Sequence, residues 1–180
     1  LPVGFVPTRE QSQGVLEILG RLPTEPSSPD SARSGCDLME AVEARGVAIS
    51  APLAIKRLKY ACVGHASEPG KLYELAARTG RQVKDLGEGV FDLVLGQLTK
   101  SKTPRDAIDF AEQLATREQP FKPVYGRVWL VLAGEYGTLD DVNRVLAGLN
   151  TDDRINGALE GLERAPGDAS SRSRAAYVAS

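Results

Sequence analysis

The amino-acid sequence predicts an all-α protein, a solenoid of about four stacked helical hairpins closed by a short C-terminal capping helix. The first observation behind this is self-similarity. Gly35, Leu72, Ala107 and Val142 stand 37, 35 and 35 residues apart and open four stretches with one pattern. Three residues after these anchors come Leu38, Leu75, Phe110 and Val145, and four after come Met39, Ala76, Ala111 and Leu146. Seven after come Val42, Thr79, Leu114 and Leu149. An i, i+3, i+4, i+7 face is the stripe of an amphipathic helix, and only Gly35 and Thr79 depart from apolar character in it. The second observation is a companion segment twelve and nine residues before the last three anchors: Tyr60 and Val63, Leu95 and Leu98, Leu130 and Ala133. Neither helix of such a hairpin can bury both faces alone, so successive hairpins must stack. An ordinary bundle with coincident stripes is the competing reading. Leu98 and Leu114 are the expected centre of the core.

Each element has its own signals. Thr8 with Gln11 reads as a capping box for a first helix whose apolar stripe is Val15, Leu16, Ile18 and Leu19. Pro23 to Asp30 breaks it, and a second helix runs from about Ser31 to Arg45 and stops at Gly46. Ser50 and Pro52 start the next hairpin, which turns between Gly64 and Gly70. The third begins near Glu88, turns at Ser101 to Lys102 and restarts with Thr103, Pro104 and Asp106, ending over Gln119 to Pro123. The fourth holds Trp129, turns at Gly137, restarts with Thr138 and Asp141 in capping-box spacing and ends near Asn150. The units are therefore about 13–50, 51–87, 88–123 and 124–157, with a cap over 152–164 that presents Ile155, Leu159 and Leu162. One domain is expected over 1–164, and 165–180, rich in Ser, Ala and Arg, is expected to be an extended tail.

Composition bounds the function. A 42% hydrophobic content over 180 residues is enough for a continuous core. Apolar runs such as Val128 to Ala133 fall far below the roughly 20 residues that cross a bilayer, so no direct membrane insertion is expected. The 22 Lys and Arg against 24 Asp and Glu give a net charge of -2, without the basic excess that holds a polyanion. Cys36 and Cys62 fall inside predicted helices of successive hairpins, as small core residues of a reducing compartment would. His65 is the only histidine. With no second histidine and no Cys-x-x-Cys, neither a metal nor a cofactor is expected. Leu1 in place of Met suggests a piece removed either by the experimenter or in processing, and a cleaved organelle presequence would fit.

No catalytic constellation emerges either. In the run Gly64 to Lys71, five residues separate Gly64 from Gly70 and Leu72 stands where a phosphate-binding loop needs Ser or Thr, so this reads as a turn between helices. Asp140 and Asp141 sit at a helix start and complement its dipole. A Ser or Cys nucleophile needs a base, and His65 falls on a predicted loop with no partner motif.

The segment Val90 to Pro123 resembles the pentatricopeptide-repeat family, whose unit is a 35-residue helical hairpin. Phe91, Asp92, Leu95 and Leu98 stand in the family's first-helix positions and Ala107, Phe110, Ala111 and Leu114 in its second, with Lys122 and Pro123 closing the unit. Gly35 to Gly46 is similar to the family's second helix, and the likeness extends over about residues 13 to 150. The tetratricopeptide family has a 34-residue unit and places a small residue where this chain has Val42, Thr79, Leu114 and Leu149.

The resemblance implies a right-handed solenoid. In most members it also implies single-stranded RNA binding, one base per repeat, read by paired polar residues. The positions carried over are Arg57 with Gly87, Asp92 with Lys122, and Arg127 with Gly157. None matches the usual Thr, Ser or Asn paired with Asn or Asp, and glycine has no side chain to read with. Lys56, Arg57 and Lys59, and Lys100, Lys102 and Arg105, are local basic groups expected to be solvated faces.

Short members without reading residues resemble non-catalytic subunits of organellar assemblies. What this implies is an accessory subunit in the mitochondrial matrix, peripheral to the inner membrane. It would dock by protein-protein contacts on a large complex, the expected partner being the ATP synthase head through an alpha subunit. An RNA-binding organellar factor or a mitochondrial ribosome subunit is the alternative. Docking calls for an exposed apolar or aromatic patch drawn from residues such as Phe121, Tyr125 or Tyr136, whereas RNA calls for a positive groove around Arg57 and Arg127.

Overall fold

The computed structural model describes residues 8–100, 105–117 and 122–149, and every regular element among them is an α-helix. They are α1 (Arg9–Arg21), α2 (Pro29–Ala44), α3 (Ala51–Gly64), α4 (Pro69–Gln82), α5 (Gly89–Thr99), α6 (Arg105–Arg117), α7 (Pro123–Tyr136) and α8 (Leu139–Leu149). The chain forms two compact units, Leu1–Ser101 holding α1 to α5 and Lys102–Ser180 holding α6 to α8. The expected turn at Ser101 to Lys102, the cap over 152–164 and the tail over 165–180 lie outside the described residues, as do Thr103, Pro104, Phe121 and Gly157.

The repeated stripes form the core. Every position in them is buried except Leu38 and Leu146, which are half-buried, so Gly35 and Thr79 belong to the core despite breaking the apolar pattern. Of the companion residues, Tyr60, Leu95, Leu98, Leu130 and Ala133 are buried and Val63 is half-buried. One expectation needs correcting in α1. Leu19 is buried and Val15 and Leu16 are half-buried, but Ile18 is 62% exposed. At 3.6 residues per turn Ile18 stands about 100° around the helix from Leu19, off the single face that α1 buries.

Helix ends follow local chemistry. Gln11 N donates to Thr8 Oγ1 (3.3 Å) while Thr8 N donates to Gln11 Oε1 (2.9 Å), a reciprocal capping box. Ser28 and Ser31 make the same exchange, which starts α2 two residues earlier than expected, at Pro29. Proline has no N–H to leave unsatisfied there. Gly46 follows α2 with φ of +78°, a conformation that disfavours any side chain, and its N–H donates to Glu43 O (2.9 Å). Asp141 N donates to Thr138 Oγ1 (3.3 Å) and Thr138 N to Asp141 Oδ2 (2.8 Å), capping α8.

In the first unit α2 and α3 meet through two glycines. A Cβ on Gly35 would stand 2.8 Å from the Tyr60 ring, which lies over that gap and donates its hydroxyl to Pro23 O (2.9 Å). A Cβ on Gly64 would stand 2.3 Å from the backbone nitrogen of Arg33, so here the two backbones nearly touch. Tyr73 of α4 and Phe91 of α5 stack with centroids 5.7 Å apart. In the second unit Trp129 of α7 fills the space a Cβ on Gly148 would need, 2.6 Å from the ring edge.

Two substitutions test this packing by different mechanisms. Leu98 is fully buried, so Leu98→Ala should cost about 2–5 kcal/mol in a denaturant melt through lost contacts and a cavity. Gly64→Ala should match or exceed the roughly 1–3 kcal/mol of overpacking, because its obstacle is backbone rather than a side chain that can swing away. A loss below about 1 kcal/mol at Leu98 would contradict the register.

Candidate functional site

The expected reading positions differ in how they meet solvent. Arg57 is fully buried. Its Nη1 is ion-paired with Glu43, and its Nη2 donates to Gln82 Oε1 (3.2 Å) and Thr79 Oγ1 (3.5 Å). The second break in the apolar stripes is thereby explained, since Thr79 supplies a hydroxyl to a buried guanidinium. Gly87 is exposed at φ +47°. Asp92 is exposed on α5, Lys122 holds its Nζ 5.7 Å over the Tyr125 ring, and Arg127 is half-buried on α7.

The neighbours of Arg57 are equally engaged, which corrects the expectation of a solvated basic face on α3. Lys56 Nζ donates to the carbonyls of Gly20 and Leu22 (both 2.8 Å), satisfying the C-terminal end of α1. Lys59 pairs with Glu25 (3.4 Å).

Charged side chains about one repeat apart bond to each other in both units. On α2, Asp37, Glu40 and Glu43 follow one another at three-residue steps along one edge and meet Lys71, Arg78 and Gln82 of α4. In the second unit Asp141 of α8 pairs with Arg105 of α6, and Arg144 of α8 reaches Asp109 (2.9 Å) and Glu112 (3.3 Å) of α6. Burial alone would raise the Asp141 carboxyl. The Thr138 amide and hydroxyl, with the Arg105 and Arg144 guanidinium groups, outweigh it and hold the group below the usual carboxylate range.

A dense polar cluster joins α2, the end of α3 and the start of α4. His65 caps α3 and is buried, where the sequence suggested a loop histidine without partners. Its Nδ1 lies 2.8 Å from Glu68 Oε1 and its Nε2 lies 2.9 Å from Asp37 Oδ1 and 3.0 Å from Lys71 Nζ. Lys71 Nζ also donates to Asp37 Oδ1 (3.1 Å), and Arg33 pairs with Glu68 (3.3 Å). The bond from His65 holds Glu68 below its ordinary range, and Lys71 and His65 overcome the burial of Asp37 to do the same. Asp37 and Glu40 hold Lys71 up against the effect of its own burial.

Beside them Cys36 is fully buried, and desolvation, reinforced by Glu40, pushes its thiol up to about 12. A thiol so placed is not a nucleophile at neutral pH. One donor atom from each of Cys36, Asp37 and His65 nevertheless lies within 4.8 Å of the other two. The sequence hid this set, because its ligands come from different helices and follow no local spacing. The adjacent Cys36-Asp37 pair and the single histidine were the available signals.

The second unit offers an apolar corner. Tyr136 (50% exposed) and Leu139 (59% exposed) flank the turn between α7 and α8, with exposed Glu135 and Asp140 next to them in sequence. Tyr125, also expected on a docking patch, is instead buried.

The buried ion pair makes an asymmetric prediction. Glu43→Ala strands a buried guanidinium and should cost about 3–5 kcal/mol in urea melts, whereas Arg57→Met removes charge and keeps volume, and should be far milder or stabilising. Equal losses would mean Arg57 contributes through packing alone. Acid should also weaken the fold. Asp37, Glu43, Glu68 and Asp141 all bind their protons less tightly folded than unfolded. Their stabilisation is complete above the ordinary carboxylate range near about 4 and is lost as pH falls through the lowered values. Urea midpoints should therefore drop across that range, and Asp141→Asn should flatten part of the drop. A midpoint indifferent to acid would contradict the pairing.

No protein-family model, no curated protein and no solved structure matches this chain.

Proposed function

We propose that this chain is a non-catalytic helical-repeat subunit that binds another protein. The observation that carries the reading is the exposed pair Tyr136 and Leu139 on the α7–α8 corner, an apolar contact surface beside acidic residues. An acidic surround of this kind complements a basic partner surface. The engagement of Lys56, Arg57 and Lys59 inside the first unit agrees with it, because phosphate contacts need basic groups that face solvent.

The finer form of the proposal is a right-handed, pentatricopeptide-like solenoid of about four hairpins. It is supported within each unit by bonds between side chains roughly one repeat apart, such as Asp37 with Lys71 and Asp109 with Arg144. Through its resemblance to short pentatricopeptide-like subunits, above all the extra one of the euglenozoan mitochondrial ATP synthase, the chain is assigned to the mitochondrial matrix. Its proposed place is on an ATP synthase alpha subunit, outside the catalytic centre.

Native purification from the source in mild detergent, with and without ribonuclease, tests both levels. Retention of ATP synthase subunits after ribonuclease is the expected result, and Tyr136→Asp with Leu139→Asp should reduce that retention at least tenfold without shifting the melt. If the partners vanish with ribonuclease and an RNA footprint remains, protein docking is wrong. Retention of a different defined complex overturns the ATP synthase assignment and leaves docking standing.

A further inference from the structure

We propose that Cys36, Asp37 and His65 form a binding site for a zinc-like divalent cation, with Glu68 orienting the histidine and Lys71 acting as the internal cation that competes for the site. Donor type is the first argument. A thiolate, a carboxylate oxygen and an imidazole nitrogen together match a borderline-soft ion of the first transition row, whereas calcium or magnesium would want oxygen alone.

Ring orientation is the second. Nδ1 of His65 lies 2.8 Å from Glu68 Oε1 and Nε2 lies 2.9 Å from Asp37 Oδ1, so the ring is held between two carboxylates. With Nε2 turned to an ion, Glu68 behind Nδ1 would aim the ring, the arrangement by which a carboxylate orients a metal-bound histidine. Lys71 Nζ sits at nearly equal distances from Nε2 and Asp37 Oδ1, 3.0 and 3.1 Å, where an incoming ion would also have to stand.

Distance is the third. Ligands about 2.0–2.3 Å from a tetrahedral zinc ion are about 3.3–3.6 Å apart. The histidine–aspartate separation is already shorter than that, and the full set lies within 4.8 Å, a gap the Cys36 sulfur would close on binding. Entry is available from the side of Asp37, whose side chain is 51% exposed, past the 32% exposed side chain of Lys71. On binding, the Cys36 S–H bond breaks, the sulfur–metal and Nε2–metal bonds form, the proton on sulfur and any carried by Nε2 leave to solvent, and Lys71 swings toward solvent while water completes the coordination. The ion would tie α2 to the end of α3.

The test uses the full chain, reduced and stripped with a chelator, titrated with Co2+ as a probe whose bond to a thiolate absorbs in the near ultraviolet. One equivalent should produce the thiolate-to-cobalt band, and Zn2+ should abolish it. Cys62→Ser should keep the band, and Cys36→Ser and His65→Gln should lose it or weaken it at least tenfold. Lys71→Gln carries the sharpest expectation, since removing the competing ammonium should tighten binding severalfold, whereas a merely structural ion-pair cluster would show no cobalt band in any variant. A wild-type chain without a stoichiometric band, or a band that survives Cys36→Ser, overturns the site. Loss of the docking partner in the preceding experiment would leave this result untouched.

Discussion

At Gly64 the end of α3 runs against the backbone of Arg33 on α2 so closely that a single methyl group would collide with it. What α3 delivers to its neighbours depends on that approach. It lays the Tyr60 ring over Gly35, carries Arg57 to Glu43, and places His65 where it meets Asp37. Glycine costs a helix roughly 1 kcal/mol relative to alanine. Here the cost is offset by three contacts that a larger residue would pull apart together, so the backbone approach sets the geometry of the polar cluster as well as of the core.

Charge then fixes how the helices slide against one another. The exposed members of these pairs contribute little each, about 0.2–1 kcal/mol, so they do not explain why the units are stable. Their arrangement is more informative than their strength. Acids on α2 are answered by Lys71 and Arg78 from α4, and bases on α6 and α8 are answered from the opposite helix in the second unit. A shift of one helix by a turn would break several of these pairs at once. Burial of the apolar stripes drives association, and the ion pairs select its register.

Much of this could be read in the sequence. Helical periodicity, capping boxes at Thr8 and Thr138, the glycine stop at Gly46 and the buried positions of Leu98 and Leu114 are local or periodic properties, and each has a direct physical signature. Ile18 was misplaced because four apolar residues in close succession do not reveal how narrow a face the helix buries. Tyr125 was expected outside because an aromatic residue near a helix start is equally suited to core and surface. The polar cluster was invisible for a different reason. His65 gains its neighbours only when a close helix approach brings Asp37 against it, and nothing in a one-dimensional spacing records that approach.

Arg57 shows why a position matched to a family pattern does not carry that pattern's role with it. A guanidinium taken out of water loses several kcal/mol of solvation, which only fixed partners restore. Glu43, Thr79 and Gln82 supply them from α2 and α4, so turning Arg57 toward a ligand would strand both Glu43 and the guanidinium and open the seam between these helices. The side chain that would have to read a base is the one that locks α3 between its neighbours. A chain that uses this charge internally keeps its surface for other contacts, and the solvent-facing apolar residues of the α7–α8 corner have the chemistry for them.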